Sequence, residues 1–170
     1  MPHGENGLKD TINRIEQSMA MRYLKKEYLI VDSGKNILYI KTGGDTLRQA
    51  MVSCGSGAVL EDPESQRRWV FNTPRGFFKI TSKLADPAWI KPDWAYVEEG
   101  EPVPDDPGHR VEMGALGDYA LGFGDGYFIH GTLYTTLLGK NVSHGCIRMG
   151  KEDLEAVFNA VEIGTPVLIY

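Results

Sequence analysis

The chain has 170 residues, of which 42% are hydrophobic and 24% charged, which are ordinary values for one globular domain. Its net charge of −5, with no basic stripe, argues against a nucleic-acid partner. No run of about 18 apolar residues is present, so we expect no membrane span. Twenty glycines and nine prolines indicate many turns. We therefore expect a mixed, β-rich α+β fold with few helices.

The first part of the chain, residues 1–26, predicts a helical lead-in to the main domain. Its apolar residues recur at helical spacing along one stripe: Leu8, Ile12, Ile15 and Met19. Lys25 and Lys26 suit the carboxyl end of a helix. We expect this helix to pack on the domain or to lead in from a preceding segment, and a partner-binding helix is the alternative.

Residues 27–170 form the predicted main domain, and its first half is rich in strand signals. Alternating β-branched, aliphatic and aromatic residues mark four strands: Glu27–Asp32, Asn36–Thr42, Leu47–Ser53 and Phe77–Thr81. The Ser33-Gly34-Lys35 tripeptide predicts a hairpin between the first two. Residues 59–68 are polar and contain Pro63, so they predict a loop. Residues 73–76, with a proline and a glycine, predict a turn.

The segment Ala85–Arg110 has an unusual composition, with five of the nine prolines and two of the three tryptophans. Prolines this dense interrupt both helices and strand ladders. We predict a loop or lid beside the functional site, with Trp89 and Trp94 as anchors or substrate-facing walls. A surface excursion pinned by the tryptophans is the alternative. His109, near its end, and His3 are expected to be exposed.

The last third of the chain returns to regular structure. We predict two strands around a Gly124-Asp125-Gly126 turn, then a helix with one apolar face, and a terminal β-branched strand that closes the sheet: Asp118–Gly122, Tyr127–His130, Lys151–Val161 and Thr165–Tyr170. Gly164 is expected to stop the segment after the helix.

The residues with most chemical potential lie between Tyr127 and Met149. A cysteine becomes a good nucleophile only as a thiolate, and a free thiol with a pKa of about 8.5 needs a nearby base at neutral pH. Cys146 is therefore a candidate nucleophile, with a histidine as its base. Cys54 ends an apolar strand and is expected to be a small buried side chain. A disulfide between the two would silence Cys146, so we reject it.

Two histidines compete for the role of base. Residues two apart on an extended segment are about 6–7 Å apart, so His144 would reach Cys146 only if the chain turned at Gly145. His130 ends an apolar run and could meet Cys146 across a loop, so we favour His130. Gly145 removes a side chain where substrate must approach and permits a positive φ. Backbone N–H groups around Gly145 and Cys146 could then stabilise an oxyanion.

These residues resemble the signature of the L,D-transpeptidase (YkuD-type) family. The signature is H-G-x followed, after about a dozen residues, by S/T-H-G-C-aliphatic-R. The sequence has Ile129-His130-Gly131-Thr132 and Ser143-His144-Gly145-Cys146-Ile147-Arg148-Met149. Thr73–Ile80 is similar to the family's T-P-x-G-x-F-x-I, and Gly114–Gly131 to its L-G-x-x-x-L run. The resemblance covers roughly residues 27–170.

The resemblance implies a fold, an activity and a set of site residues. The fold would be a β-sandwich or flattened barrel with the cysteine at a cleft. Cys146 would attack a peptidoglycan tetrapeptide stem, with His130 as base, and an amine acceptor would resolve the thioester. No cofactor or metal is implied, and the thiol would react with carbapenems. The work would take place in the cell envelope, although the first residues are not a signal peptide.

The resemblance also suggests roles for residues around the nucleophile. Ser143, His144 and Gly145 would shape the pocket or oxyanion site. Arg148 would hold a substrate carboxylate or stabilise the loop, because its planar fork matches a carboxylate. Further predicted substrate contacts are Gly131, Thr132, Trp89 and Trp94.

Three alternatives stay open at the level of sequence. Water could resolve the thioester, which would make the protein an L,D-carboxypeptidase. His130, His144 and Cys146 could instead be zinc ligands, although no further ligand sits at a suitable spacing. The domain could also bind the wall without catalysis, which an intact Cys146 and His130 argue against. The sequence does not indicate an oligomeric state.

Overall fold

The computed structural model of the protein describes residues 4–23 and 25–170. The helices in these residues are α1 (Gly4–Arg22), α2 (Asp93–Glu99) and α3 (Lys151–Ala160). The strands are β1 (Glu27–Asp32), β2 (Ile37–Thr42), β3 (Asp45–Ser53), β4 (Val59–Glu61), β5 (Arg68–Val70), β6 (Gly76–Lys79), β7 (Ser82–Ala85), β8 (Ala88–Ile90), β9 (Val111–Met113), β10 (Tyr119–Gly124), β11 (Tyr127–Gly131), β12 (Ile147–Met149) and β13 (Pro166–Ile169). Short 3-10 helices span Pro107–Arg110 and Thr135–Leu137.

A nine-stranded sheet with the order β6-β13-β1-β2-β3-β12-β11-β10-β7 dominates the fold. Its two edge strands, β6 and β7, follow one another directly in the chain. At the connection, the Thr81 N–H donates to the Gly122 carbonyl (2.8 Å) and the Ile80 N–H to the Thr165 carbonyl (2.9 Å). The sheet therefore curls into a half-barrel, which confirms the predicted β-rich fold of flattened-barrel type.

The concave side of the sheet holds the main hydrophobic core. Alternate residues of β1, β2, β11 and β12 point inward because successive strand residues face opposite sides. The core includes Leu29, Val31, Leu38, Ile40, Ile129, Ile147 and Met149, and α3 covers it with Leu154 and Val157. Cys54 belongs to this cluster and is fully buried, as predicted. Both cysteines are free thiols.

Helix α1 packs on the outer face of the sheet through its carboxyl-terminal half. Met19 is buried with Tyr28, Ile30 and Leu168, and Ile15 packs against the same cluster. Leu8, which belongs to the same predicted stripe, is 60% exposed. The sequence pattern thus predicted the helix, but only the end nearer to β1 is held by the sheet.

Two predictions about the strands were wrong, and two strands were not predicted. Residues 59–68 are not a loop, because β4 and β5 pair as an antiparallel hairpin with Leu60 opposite Trp69. The polar residues that suggested a loop lie in its turn, where Asp62 accepts from the Glu64 N–H (3.0 Å). Strands β7 and β12 were not predicted from the sequence. In addition, the terminal strand β13 lies inside the sheet between β1 and β6 and does not close an edge.

The segment Ala85–Arg110 was predicted as a loop, but it is largely regular structure. Strands β8 and β9 pair with each other, and between them lie α2 and a 3-10 helix. The prolines mark boundaries: Pro92 is the N-cap of α2 and Pro107 is the first residue of the 3-10 helix. Proline is tolerated at these positions because the first N–H groups of a helix lack partners. We call residues 88–113 the cap.

Two remaining predictions concern exposure and membrane insertion. His109 is exposed, as expected, whereas His3 lies outside the described residues. Among the helices that the structure describes, none has the length and apolar character required to cross a membrane.

Candidate active site

Strands β11 and β12 bring the predicted nucleophile and base together. They pair in parallel, with Ile129 opposite Ile147 and His130 opposite Arg148. Because Ile129 and Ile147 point into the core, His130 and Arg148 lie on the other face of the sheet. Cys146 immediately precedes β12, and its sulfur accepts a hydrogen bond from the Phe128 N–H on β11 (3.4 Å).

The turn before Cys146 depends on a glycine. Gly145 has φ of 120°, a conformation that L-residues with side chains rarely adopt. A Cβ atom there would lie 2.7 Å from Cε1 of Tyr127 and 3.1 Å from the Asn72 carbonyl oxygen. The sequence indicated the need for glycine at this position, and the structure identifies Tyr127 as the neighbour that requires it.

Hydrogen bonds from Ser143 hold the same turn. The buried Ser143 hydroxyl accepts from the Gly145 N–H (3.1 Å) and donates to the Cys146 carbonyl oxygen. The Gly145 N–H, which we expected to serve as an oxyanion donor, is thus already engaged. This leaves the Cys146 N–H as the candidate donor at the nucleophile.

Thr73 ties the turn to the rest of the sheet, a role that the sequence did not suggest. Its hydroxyl donates to the Gly145 carbonyl oxygen (2.8 Å) and accepts from the Gly55 N–H (2.8 Å). Thr73 was predicted only as part of a turn, although it is the first residue of the quoted T-P-x-G motif. That motif was the available signal that it serves the site.

His130 is buried and neutral in this environment. Only 7% of the residue is exposed, and Nδ1 lies 2.7 Å from the Gly131 carbonyl oxygen. That carbonyl can only accept, so Nδ1 carries the proton of the neutral ring and Nε2 is the free acceptor. Burial lowers the pKa of His130 to about 4, helped by the positive charge of Arg148 and opposed by hydrogen bonds that the Gly131 and Leu116 carbonyl oxygens accept from the ring.

The thiol of Cys146 is also shifted toward its neutral form. Burial raises the pKa of Cys146, while the Phe128 N–H and the positive charge of Arg148 oppose the rise. No hydrogen bond joins the His130 ring to the Cys146 sulfur among the contacts of the described residues. Burial of the two groups thus favours the neutral form of each.

His144 occupies a different environment from His130. Its ring stacks on Trp94 of α2, with centroids 4.3 Å apart and planes 17° apart, and meets the edge of Phe71 at 4.5 Å. Its Nε2 lies 2.9 Å from a carboxylate oxygen of Glu98. Its Nδ1 lies 3.5 Å from a guanidinium nitrogen of Arg148. These contacts make His144 part of the wall of the site, with its nitrogens already engaged.

The other predicted substrate contacts are arranged as follows. Gly131 packs against Gly117, where a Cβ would meet the Gly117 Cα at 3.1 Å, so close backbone packing accounts for this glycine. The Thr132 hydroxyl accepts from the Tyr134 N–H (3.0 Å). The ring centroid of Trp89 on β8 lies 6.2 Å from that of Trp94, and Trp94 in turn stacks on His144. Of these residues, Trp94 contacts the signature directly, and the roles of the others in binding stay predictions.

The zinc hypothesis finds no support in the described residues, where no group of three His, Cys, Asp or Glu side chains could hold a metal ion. His144, one of the three proposed ligands, is bound to Glu98 and faces Trp94.

Comparison with known proteins identifies the family. A family model described as the L,D-transpeptidase catalytic domain (YkuD) matches residues 26–169. The Escherichia coli K12 protein named "Probable L,D-transpeptidase YbiS" is 31% identical over 163 residues, covering 92% of this chain and 49% of that protein. "Probable L,D-transpeptidase 3" of Mycobacterium tuberculosis is 36% identical over 121 residues, covering 69% of this chain and 41% of that protein. The chain spans about half the length of the curated relatives it matches.

Solved structures agree with this assignment. An L,D-transpeptidase fragment from Xylanimonas cellulosilytica superimposes with a TM-score of 0.62 at 25% identity, covering 88% of this chain and 62% of that one. L,D-transpeptidase 3 from Mycobacterium tuberculosis, in complex with a faropenem-derived adduct, gives a TM-score of 0.59 at 25% identity over 85% of this chain and 60% of that one. The chain belongs to the YkuD family of L,D-transpeptidase catalytic domains.

Proposed function

We propose that this protein transfers an acyl group from a peptidoglycan tetrapeptide stem to an amine acceptor in the cell envelope, through a thioester on Cys146. The observation that carries the proposal is the register of β11 and β12. This register sets the sulfur of Cys146 against the Phe128 N–H, two residue pairs away from His130 and on the same face of the sheet. Family membership supports the reaction class.

The orientation of the imidazole supports His130 as the base. With Nδ1 donating to the Gly131 carbonyl oxygen, Nε2 is the nitrogen that can accept a proton. The contacts of the described residues include no hydrogen bond from the His130 ring to the Cys146 sulfur, and such catalytic hydrogen bonds often form fully only in the complex with substrate. The lowered pKa of His130 keeps Nε2 unprotonated down to about pH 4, but it also makes the ring a weaker base, so the proton transfer must accompany formation of the S–C bond.

In the first half-reaction, the Cys146 sulfur attacks the carbonyl carbon of the peptide bond between an L-centre and a terminal D-residue. As the S–C bond forms, the thiol proton passes to Nε2 of His130. The resulting imidazolium gives that proton to the nitrogen of the leaving D-residue as the C–N bond breaks. The products are a thioester on Cys146 and a free D-amino acid.

In the second half-reaction, the amine of another stem attacks the thioester carbonyl. His130 takes a proton from the amine and returns one to the sulfur as the C–S bond breaks, so the enzyme is regenerated. Water in place of the amine would give a trimmed stem by the same steps. The Cys146 N–H would stabilise the oxyanion in both halves.

Arg148 is proposed to bind a carboxylate of the stem. It lies opposite His130 on the face that holds the nucleophile, and its positive charge is felt by both Cys146 and His130. A planar guanidinium can hold a carboxylate by two parallel hydrogen bonds. The same charge would favour the thiolate once substrate displaces water from the site.

Labelling with a carbapenem would test the nucleophile. A β-lactam carbonyl is attacked by the same sulfur, and one solved relative carries a faropenem-derived adduct. Intact-mass spectrometry should find one adduct on the wild type and none on Cys146→Ala. Cys54→Ala is the matched control, since Cys54 is the other free thiol and is fully buried, and it should label like the wild type. An adduct that persists in Cys146→Ala would contradict the proposal.

A purified tetrapeptide would separate transfer from hydrolysis. Transfer gives a dimer with the mass of two stems less the mass of one free D-amino acid, whereas hydrolysis gives a stem that is lighter by one amino-acid residue. We expect the dimer to predominate when an acceptor amine is in excess. Trimmed stems alone would make the protein an L,D-carboxypeptidase, and no product of either kind would overturn the proposed activity.

A further inference from the structure

Helix α2 of the cap places two side chains on His144, the histidine of the signature that does not serve as base. Trp94 stacks on the His144 ring, and Glu98, one helical turn later, approaches Nε2 with both carboxylate oxygens (2.9 and 3.1 Å). Residues four apart on a helix lie on the same face. The same helix therefore contacts the face of the His144 ring through Trp94 and its Nε2 edge through Glu98.

The cap is itself anchored by charged side chains. Asp93, the first residue of α2, pairs with Arg67 of the β4–β5 turn (2.5 Å) and with Arg110. Lys91, which is 6% exposed, pairs with Glu99 at the end of α2. Ion pairs thus hold both ends of α2, and this fixes the position of Glu98 relative to His144.

The two nitrogens of His144 connect Glu98 to Arg148. An ionised Glu98 carboxylate only accepts hydrogen bonds, so Nε2 of His144 donates to it. In the neutral ring, Nδ1 is then an acceptor, and it faces the Arg148 guanidinium at 3.5 Å. A guanidinium only donates, so Arg148 donates to Nδ1 of His144, and Nε2 of His144 donates to Glu98. The three side chains therefore form one line of hydrogen bonds from β12 to the cap.

Arg148 is the charged end of this chain and lies beside the reacting groups. It pairs with His130 in the β11–β12 ladder. Its charge opposes the rise in the pKa of Cys146 and contributes to the fall in the pKa of His130. A long side chain such as arginine loses considerable conformational freedom when it is fixed, so a partner that holds it in advance reduces the cost of binding substrate.

We propose that Glu98 is a positioning residue that fixes the tautomer of His144 and, through it, holds Arg148 beside Cys146 for the incoming substrate carboxylate. This inference rests on the proposed function for the role of Arg148 in binding. The geometric part, that Glu98 acts on Arg148 through His144, is independent of the reaction. The cap thus contributes to the site through a side chain outside the signature.

The test compares variants along the chain in two assays. Glu98→Ala removes the acceptor, whereas Glu98→Gln keeps an oxygen that accepts from Nε2. His144→Phe keeps the stack on Trp94 but removes both nitrogens. Glu101→Ala is the matched control, since Glu101 lies in the cap and its side chain pairs distantly with Lys91 (4.0 Å). The assays are kcat and KM for transfer with a tetrapeptide and the rate of Cys146 alkylation by iodoacetamide.

We expect Glu98→Ala to raise KM about fivefold with a smaller effect on kcat, as for loss of one partly exposed hydrogen bond to a charged group. Glu98→Gln should restore most of the loss, and Glu101→Ala should match the wild type. The variant carrying both Glu98→Ala and His144→Phe should be no worse than His144→Phe alone, because residues that act through one another are non-additive. Alkylation should follow the same order.

Additive effects of Glu98→Ala and His144→Phe, failure of Glu98→Gln to rescue, or wild-type behaviour of Glu98→Ala in both assays would each overturn the inference. If the wild type turns over no peptide but alkylation follows the expected order, the proposed function fails while the positioning role stands. A melting temperature for each variant separates these outcomes from unfolding.

Discussion

The hydroxyl of Thr73 donates to the carbonyl oxygen of Gly145 at 2.8 Å, and this bond joins the turn before β6 to the turn that carries the proposed nucleophile, Cys146. The same hydroxyl accepts from the Gly55 N–H at the end of β3. Two backbone segments that are far apart in the chain therefore depend on one side-chain oxygen. Thr73, which lies far from β12 in the chain, therefore helps to fix the position of Cys146.

Replacement of Thr73 by valine keeps the shape of the side chain and removes both hydrogen bonds. The Gly145 carbonyl and the Gly55 N–H would lose their partner in a largely buried place, at a cost of about 1–3 kcal/mol in the free energy of unfolding. Because the turn would also loosen, we expect a lower rate of Cys146 acylation by a carbapenem. Chemical denaturation and stopped-flow acylation measure the two effects.

Thr136→Val is the control for this change, because Thr136 is exposed in the 3-10 helix between β11 and β12. It should leave both measurements unchanged. A Thr73→Val protein as stable and as reactive as the wild type would mean that the Gly145 turn holds itself.

The lowered pKa of His130 predicts a specific dependence of stability on pH. The folded-state pKa of about 4 lies below the ordinary value of 6.5, so the fold disfavours the protonated ring. The contribution of the neutral ring is fully present above about pH 6.5 and is lost progressively as the pH falls toward 4. His130→Gln cannot be protonated in this range, so it should lose less stability between pH 7 and pH 4.5 than the wild type does.

Thermal unfolding at the two pH values provides this measurement. Carboxylates with a lowered pKa, such as Asp62 and Asp93, also contribute less to the stability of the fold in acid. Their contribution falls equally in variant and wild type, so it cancels in the difference between the two. His109→Gln, at an exposed histidine, should track the wild type at both values. Equal acid sensitivity of His130→Gln and wild type would indicate that the His130 ring is not held neutral by the fold.

Gly145→Ala tests the steric demand of the nucleophile turn. Alanine at this position would have to adopt φ of 120°, which strains the backbone, and its methyl group would lie 2.7 Å from Cε1 of Tyr127, which is a steric overlap. We expect a loss of about 1–3 kcal/mol of stability from the backbone strain alone, with a further loss from the overlap and near-complete loss of acylation. Gly164→Ala is a matched control, because Gly164 has φ of 95° but nothing within 4 Å of the added atom.

The difference between the two glycine variants isolates the contact with Tyr127. Equal destabilisation in both, with acylation intact in Gly145→Ala, would show that the turn can move away from the ring. The measurements are the midpoint of urea unfolding and the rate of carbapenem acylation.

Local sequence patterns predicted one of the two strands that border the candidate site. The apolar run that ends at His130 predicted a buried strand, and β11 follows it. Strand β12 was not predicted, because its three residues are too few to show an alternation. Strand β7 shows why such patterns can fail. Its inward position is occupied by Lys83, whose ammonium group donates to the Phe158 and Val161 carbonyl oxygens (both 2.6 Å) at the end of α3. A lysine does not look like a buried strand residue, so the alternation is hidden.

The contacts of the cap could not be predicted for a similar reason. Glu98 is one of several acidic residues in a proline-rich segment, and the sequence predicted this segment only as a loop or lid. Its partner His144 is 46 residues away. Only the packing of α2 against the nucleophile turn distinguishes Glu98 from its neighbours, and that packing depends on long-range pairs such as Asp93 with Arg67.

Asp93→Asn is therefore expected to loosen the cap with little effect on the main sheet. Asp93 pairs with Arg67 and Arg110, and these two partners hold its pKa below its usual range, so its charge is used by both. The amide cannot hold two guanidinium groups as strongly. We expect faster hydrogen exchange in residues 88–113, a change in tryptophan fluorescence as Trp94 leaves His144, and a several-fold lower kcat/KM, within the range for loss of hydrogen bonds to charged groups.

Asp106→Asn is the control, because it is an exposed change in the same cap, and it should reproduce none of these effects. A uniform rise in hydrogen exchange across β1, β2 and β3 would contradict a local role for Asp93.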